Sequence, residues 1–194
     1  MELTQEQIQK LRDLKTVVDS DDIRYKEIIK KTLIENELII YLLNNTELSD
    51  AGADPSDYLG VNILPYYLVD PTQHNVQNFI CYEIETRELE RYSSNMKKQH
   101  IIFYVLCEEK NNIEKYTGIA RHDLIAALLI DMFNETNIFT NKVHIISDIP
   151  SVVDNDYSCR TLVFELITDN NLAKTKNGVT SMINRNIYAT EPNS

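Results

Sequence analysis

Residues 116–134, YTGIARHDLIAALLIDMFN, constrain the fold more than any other stretch of the chain. Leu124, Ile125, Leu128, Leu129, Met132 and Phe133 recur at the i, i+3, i+4, i+7, i+8 spacing of one helix face. Thr117 and Gly118 stand at its start, where a cap and a turn belong. Charge is confined to Arg121, His122 and Asp123 in the first turns and to Asp131. A helix this apolar must be covered. Strand-like runs flank it, residues 99–107 before and residues 141–148 and 158–168 after, and these are the natural cover.

The rest of the chain fits around that helix. Residues 4–18 read as a helix that Thr4 can cap, with Ile8, Leu11, Leu14, Val17 and Val18 as a narrow apolar stripe. Ser20-Asp21-Asp22 opens a second helix, expected to run to Asn44 with Tyr25, Ile28, Ile29, Thr32, Leu33 and Asn36 on one face. Its last turns, residues 38–43, are apolar all round, as suits a deep core or a surface shared with another chain. Residues 44–60, NNTELSDAGADPSDYLG, read as an acidic loop. Residues 61–69 carry Pro65, so an edge strand or an irregular extended segment is expected. Residues 78–86 alternate as a strand, and 87–98 read as a short helix or a loop. Residues 99–107 are apolar on both parities, which predicts a central strand. Beyond the apolar helix come a strand at 142–147, a loop at 148–157 and a strand at 158–168. Asn177-Gly178 predicts a hairpin, or else an arm ordered only against a neighbour. The expected fold is α+β: a mainly antiparallel sheet of about four to five strands on a central apolar helix, preceded by two N-terminal helices. Residues 1–60 form the helical region with its acidic loop, 61–168 the α+β core and 169–194 a polar hairpin or arm.

With 194 residues and 43% hydrophobic content, the chain has material for one real core. A net charge of −11 argues against wrapping nucleic acid by charge neutralisation, but not against a channel through which DNA slides. The longest apolar runs are far shorter than the roughly 20 residues of a membrane span. The first ten residues, MELTQEQIQK, lack a basic region followed by an apolar segment, so no signal peptide is expected. Cys81, Cys107 and Cys159 sit apart in apolar strand-like runs and read as buried thiols of a reducing compartment.

The one candidate catalytic cluster is Arg121-His122-Asp123. Consecutive helical residues point in different directions and do not converge on one substrate atom. The plain reading is a helix start at which Asp123 suits the dipole and Arg121 finds a neighbour; a phosphate-binding or general-base role is the alternative. His74, His100, His122 and His144 and the three cysteines lie at no metal-ligand spacing, so no metal is expected. The acids Asp148, Asp154 and Asp156 lack the spacing and glycine of a calcium loop. They read as solvated loop residues, or as part of a subunit contact anchored by Tyr157 and Arg160. No phosphate-binding glycine loop, dinucleotide fingerprint or nucleophile elbow is present, so no cofactor is expected. An assembly or binding protein is expected rather than an enzyme.

Three runs carry a family likeness: KQHIIFYVLCEE, then TGIARHDLIAALLIDMFNETNIF, then KVHIISDIPSVVDNDYSCRTLVFEL. Together they resemble small phage neck proteins, most closely the tail terminator, or tail completion, proteins of long-tailed phages. The matching features are the strand and the TGxxRxD helix start with its apolar helix and Phe-Asn end. They continue with a strand ending near Ser147-Asp148 and a loop from Asp154 to Tyr157 that leads to Arg160. The likeness covers about residues 78–168. It implies a virion protein made in the host cytoplasm that forms a hexameric ring at the head–tail junction. Such a ring caps the tail-tube protein, stops its polymerisation and docks to the head connector or stopper, while DNA passes through the lumen without specific binding. On this expectation Arg121, Asp123, Asp154, Asp156, Tyr157 and Arg160 contact a neighbouring subunit or partner. The alternatives are a head-side neck protein, a small phosphoester-acting enzyme built on Arg121, His122 and Asp123, and an adaptor that binds a host protein.

Overall fold

The run that is apolar on both parities becomes the middle of the sheet. A computed structural model describes residues 3–14, 21–67, 78–88, 96–154 and 157–169. Its strands are β1 (Ile63–Leu64), β2 (Asn78–Glu88), β3 (Met96–Glu108), β4 (Val143–Asp154) and β5 (Tyr157–Asp169), in the spatial order β1-β2-β3-β5-β4. All pairings are antiparallel except β1 with β2, so the sheet is mixed. From β3, Ile101, Phe103, Val105 and Cys107 enter the main core, while Leu106 joins Leu64, Phe79, Cys81 and Cys159 in a small cluster on the other face. A strand buried on both faces needs apolar residues at successive positions, which is why this run lacks alternation.

The helices are α1 (Gln5–Asp13), α2 (Asp21–Ile34), α3 (Glu37–Leu43), α4 (Thr46–Asp50) and α5 (Arg121–Phe133). The architecture is α+β, with α5 as the central apolar helix. Ile125, Leu129 and Phe133 on α5 are fully buried. The Phe133 ring lies 5.2 Å from Phe103 and 6.3 Å from Phe164, centroid to centroid. Each such burial contributes roughly 1.5–3 kcal/mol. From α2, Tyr25, Ile29 and Leu33 enter the same core. The start of α2 is fixed by polar contacts. Lys97 is only 2% exposed and pairs with Asp21 at 2.8 Å, while Asp22 accepts from Thr86 and Gln99.

Four expectations are corrected. The single helix over 20–44 is two: Asn36 caps α3 by accepting from the Leu38 and Ile39 amides, and Asn44 ends it at φ +52°. The loop over 44–60 holds α4, capped by Asn45, and a 3-10 turn, Pro55–Tyr58, whose Tyr58 is buried. Elements of one turn carry too few residues to show a period. The loop expected over 148–157 is mostly strand. β4 continues through Pro150 to Asp154 because it lies at the sheet edge and bulges between Ile145 and Ser147 and between Val152 and Asp154. Finally, α5 starts at Arg121 rather than near Thr117, which is engaged elsewhere. Residues 15–18 of the first expected helix, the polar stretch 89–95 and the hairpin beyond residue 169 lie outside the described residues.

Candidate functional site

The loop between β3 and α5 is built around one carboxylate. Ile113 and Ala120 form an isolated bridge, and Gly118 turns the chain at φ +68°, a conformation that a side chain would strain. Glu114, 2% exposed, accepts from the Tyr116 and Thr117 amides, the Thr117 hydroxyl and, at 2.6 Å, the Tyr41 hydroxyl of α3. These donors, Tyr41 foremost, hold its carboxyl down to about 2. The loop is thereby tied to α3. Thr117, read from sequence as the helix cap, serves Glu114 instead.

The charged start of α5 fans out. Arg121 is buried; its Nε donates to the Asn111 carbonyl at 3.0 Å and its guanidinium lies 5.6 Å from the centre of the Tyr41 ring. His122 Nδ1 lies 3.0 Å from Asn112 Oδ1. Asp123 turns to the sheet and pairs with Arg160 of β5. His122 Nε2 also lies 3.4 Å from Asp123 Oδ1, while Arg121 turns away towards α3.

Arg160 also takes Asp148 of β4 in a bidentate pair, with both bonds at 2.7 Å. The register explains this. Asp148 lies opposite Leu162, so it shares the helix-facing side with Arg160 and is its diagonal neighbour. One guanidinium thus joins β5, β4 and α5. The carboxylates, Asp148 first, push the Arg160 pKa further up, so it stays charged.

Of the residues expected at a subunit contact, the structure brings together Asp123 and Arg160 and adds Asp148. Arg121 lies on the α3 side of the same helix start. Tyr157 is half-buried on the opposite face of the sheet, its ring centre 6.3 Å from that of Phe79. Asp154 ends β4, and Asp156 falls outside the described residues.

A groove of about 390 Å³ runs between α3 and α5 beside the loop, with Leu38, Leu42, Leu124, Ala127 and Leu128 in its walls and Tyr41, Glu114 and Asp131 on its margins. Among the described residues no group of three or more His, Cys, Asp or Glu side chains is placed to hold a metal. The three cysteines are buried and in no disulfide. No helix among the described residues is long and apolar enough to cross a membrane.

A model of the YomW family matches residues 36–166. The chain belongs to the YomW family. This family is phage-derived. The matched span begins at the cap of α3 and ends within β5, so the YomW region takes in the groove, the Glu114 loop and the Arg160 pairs. α1 and α2 precede it. No curated protein matches the chain.

Sequence reasoning missed Glu114, Tyr41 and the link from Asp148 to Arg160. A signal existed for the last: once residues 148–154 are taken as strand, the hairpin register sets Asp148 diagonal to Arg160. Nothing local marks Glu114, because its partner Tyr41 is remote in sequence.

Proposed function

We propose that the chain is a structural virion protein that forms a ring at the head–tail junction, capping the tail tube, stopping its polymerisation and docking it to the head connector. The carrying observation is the outer edge of the sheet. Among the described residues β4 pairs with β5 alone as a strand; residues 134–136 take the amide and carbonyl of Val143 and the Ile145 amide, and beyond them residues 147–154 leave a row of backbone donors and acceptors to another chain. Ile149 and Val152 on it are 58% and 68% exposed. Pro150 and the two bulges restrict which partner strand fits. A neighbouring copy laid along such an edge closes a ring when the rotation per subunit permits, and the resemblance makes that ring hexameric.

The phage-derived family supports a phage setting. A charge of −11 per chain, repeated around the ring, gives a lumen that repels DNA phosphates and lets DNA pass without specific binding. On this reading the chain is not an enzyme, and its partners are further copies of itself, the tail-tube protein and the head connector or stopper. The test is to make particles without it. Tails of unregulated length, or heads that fail to join tails, are expected; normal infectious particles overturn the reading. Immunolabelling of isolated tails and isolated heads separates the tail-side role from that of a head-side stopper or completion protein.

A further inference from the structure

The chain leaves β5 at the end of the sheet where β4 begins. β5 ends at Asp169, opposite Met96, and β4 starts at Val143, opposite Leu166. Residues 134–136 cover the first part of the β4 edge, at Val143 and Ile145. Among the described residues no strand covers the edge over 147–154, where Ile149 and Val152 stand exposed. An open edge with apolar side chains is a template for a further strand.

Residues 170–194 follow β5 and lie outside the described residues, but their sequence suits that edge. Asn177-Gly178 is a turn signal. Beyond it Val179, Thr180, Ile183, Ile187 and Tyr188 are strand-forming types, with no Gly or Pro among residues 179–190. Lys174, Lys176 and Arg185 against Glu191 alone make residues 170–194 basic, in a chain whose net charge is −11. β4 carries Asp148 and Asp154 and neither Lys nor Arg.

The reach also fits. Ser147 lies opposite Val163, and from there to Asp169 β5 covers about 20 Å at roughly 3.3 Å per residue. Crossing β4 to its outer side adds about 10 Å at roughly 4.8 Å per strand, so the path is about 22 Å. Residues 170–178 span up to about 30 Å. Val179 can therefore stand beside Ser147, with slack to pass residues 134–136, and the residues after it run along β4 in the same direction. A run against β4 would first have to climb about 40 Å to the level of Asp154, drawing Asn177-Gly178 and Val179 into the connection. A tether this short holds the segment at about millimolar effective concentration, which favours the edge of its own chain over that of a second copy.

We infer that residues 179–186 add to the outer edge of β4 in the same chain, as a strand parallel to β4 over residues 147–154. The free chain then has no open edge there, and a neighbouring copy gains the edge only by displacing the segment. Assembly is thereby gated by residues 179–186. The gate rests on the ring reading above; the added strand does not.

The test follows amide hydrogen exchange in the full-length chain, diluted until it is monomeric. Ile183→Pro removes a backbone donor in the middle of the segment and breaks its pairing. Exchange at residues 147–154 is expected to quicken about tenfold or more, with residues 101–107 of β3 unchanged. Equal exchange in the two chains overturns the inference and leaves the ring reading standing. A further full-length chain carries both Val152→Cys and Asn184→Cys and is treated with a short bismaleimide. Val152 is exposed and the natural cysteines are buried, so the unsubstituted chain is the control. A cross-link within one chain is expected, at a yield independent of dilution. Cross-links formed only between copies overturn the inference and assign the segment to a neighbour. A cross-link within one chain of a protein that is absent from virion necks keeps the added strand and overturns the ring reading.

Discussion

Arg160 of β5 holds Asp148 of β4 through two hydrogen bonds of 2.7 Å, one from Nε and one from an Nη nitrogen. The same guanidinium pairs with Asp123 at the start of α5. Arg160→Ala therefore takes the guanidinium from both carboxylates, leaving Asp123 the His122 ring at 3.4 Å, and removes one joint between the edge strand and the helix. The Arg160 side chain is 26% exposed, which puts the effect between surface and buried ion pairs. We expect a loss of about 1–3 kcal/mol, read as a lower urea midpoint with an unchanged slope. A midpoint equal to that of the unsubstituted chain contradicts the joint that we describe.

Glu114 sets an acid limit on the fold. Its carboxyl is lowered from 4.5 to about 2, chiefly by the Tyr41 hydroxyl and then by the loop amides. A depressed carboxylate stabilises the fold above its unfolded pKa, and that contribution is lost as pH falls through the folded value. Glu135, held down by Lys142 and His144, and Glu165, held down by Lys98, add to the same limb. Glu114→Gln should be less stable than the unsubstituted chain at neutral pH, with the gap narrowing between pH 4.5 and 2. Urea midpoints measured across that window check this, and a gap independent of pH removes Glu114 from the account.

The apolar helix stands or falls with the side chains that face the sheet. Phe133 is packed against Phe103, Phe139 and Phe164, so Phe133→Ala should cost about 3–5 kcal/mol. Ala127 is exposed on the groove side, and a polar residue there should change stability by less than about 0.5 kcal/mol. Thermal unfolding of the two variants side by side gives the comparison. Equal shifts contradict the assigned helix face.

Lys97 is the buried cation beneath the start of α2. Lys97→Ala leaves Asp21 with Arg24 alone, and a loss of about 3 kcal/mol is expected. Lys97→Met keeps the packed stem and should lose less. If the two variants unfold together, the ion pair rather than packing is what matters there.

Periodic burial explains which of these features were legible in the sequence. The α5 stripe and the two-sided apolarity of β3 follow from repeated patterns within one element, so the central helix and the central strand could be read directly. The break at Asn36, the run of β4 through Pro150 and the Glu114 loop depend on single residues meeting partners far along the chain. Leu128 shows the limit within a correctly read helix. It belongs to the apolar face by spacing, yet it lies half-buried at the groove, while Leu129 beside it is fully buried. Period places a stripe, but the width of the covering sheet decides where that stripe ends. At the candidate site, the charges of Arg121, Asp123 and Arg160 were visible, whereas their separation into an α3 contact and a β4–β5 joint was set by tertiary register.

The central claim concerns position and assembly, and imaging tests it most directly. Electron microscopy of purified particle necks, with subunit masses assigned to the density, should show a closed six-fold ring of 22.5 kDa subunits between head and tail tube. Complete necks that contain no copy of this chain contradict the account.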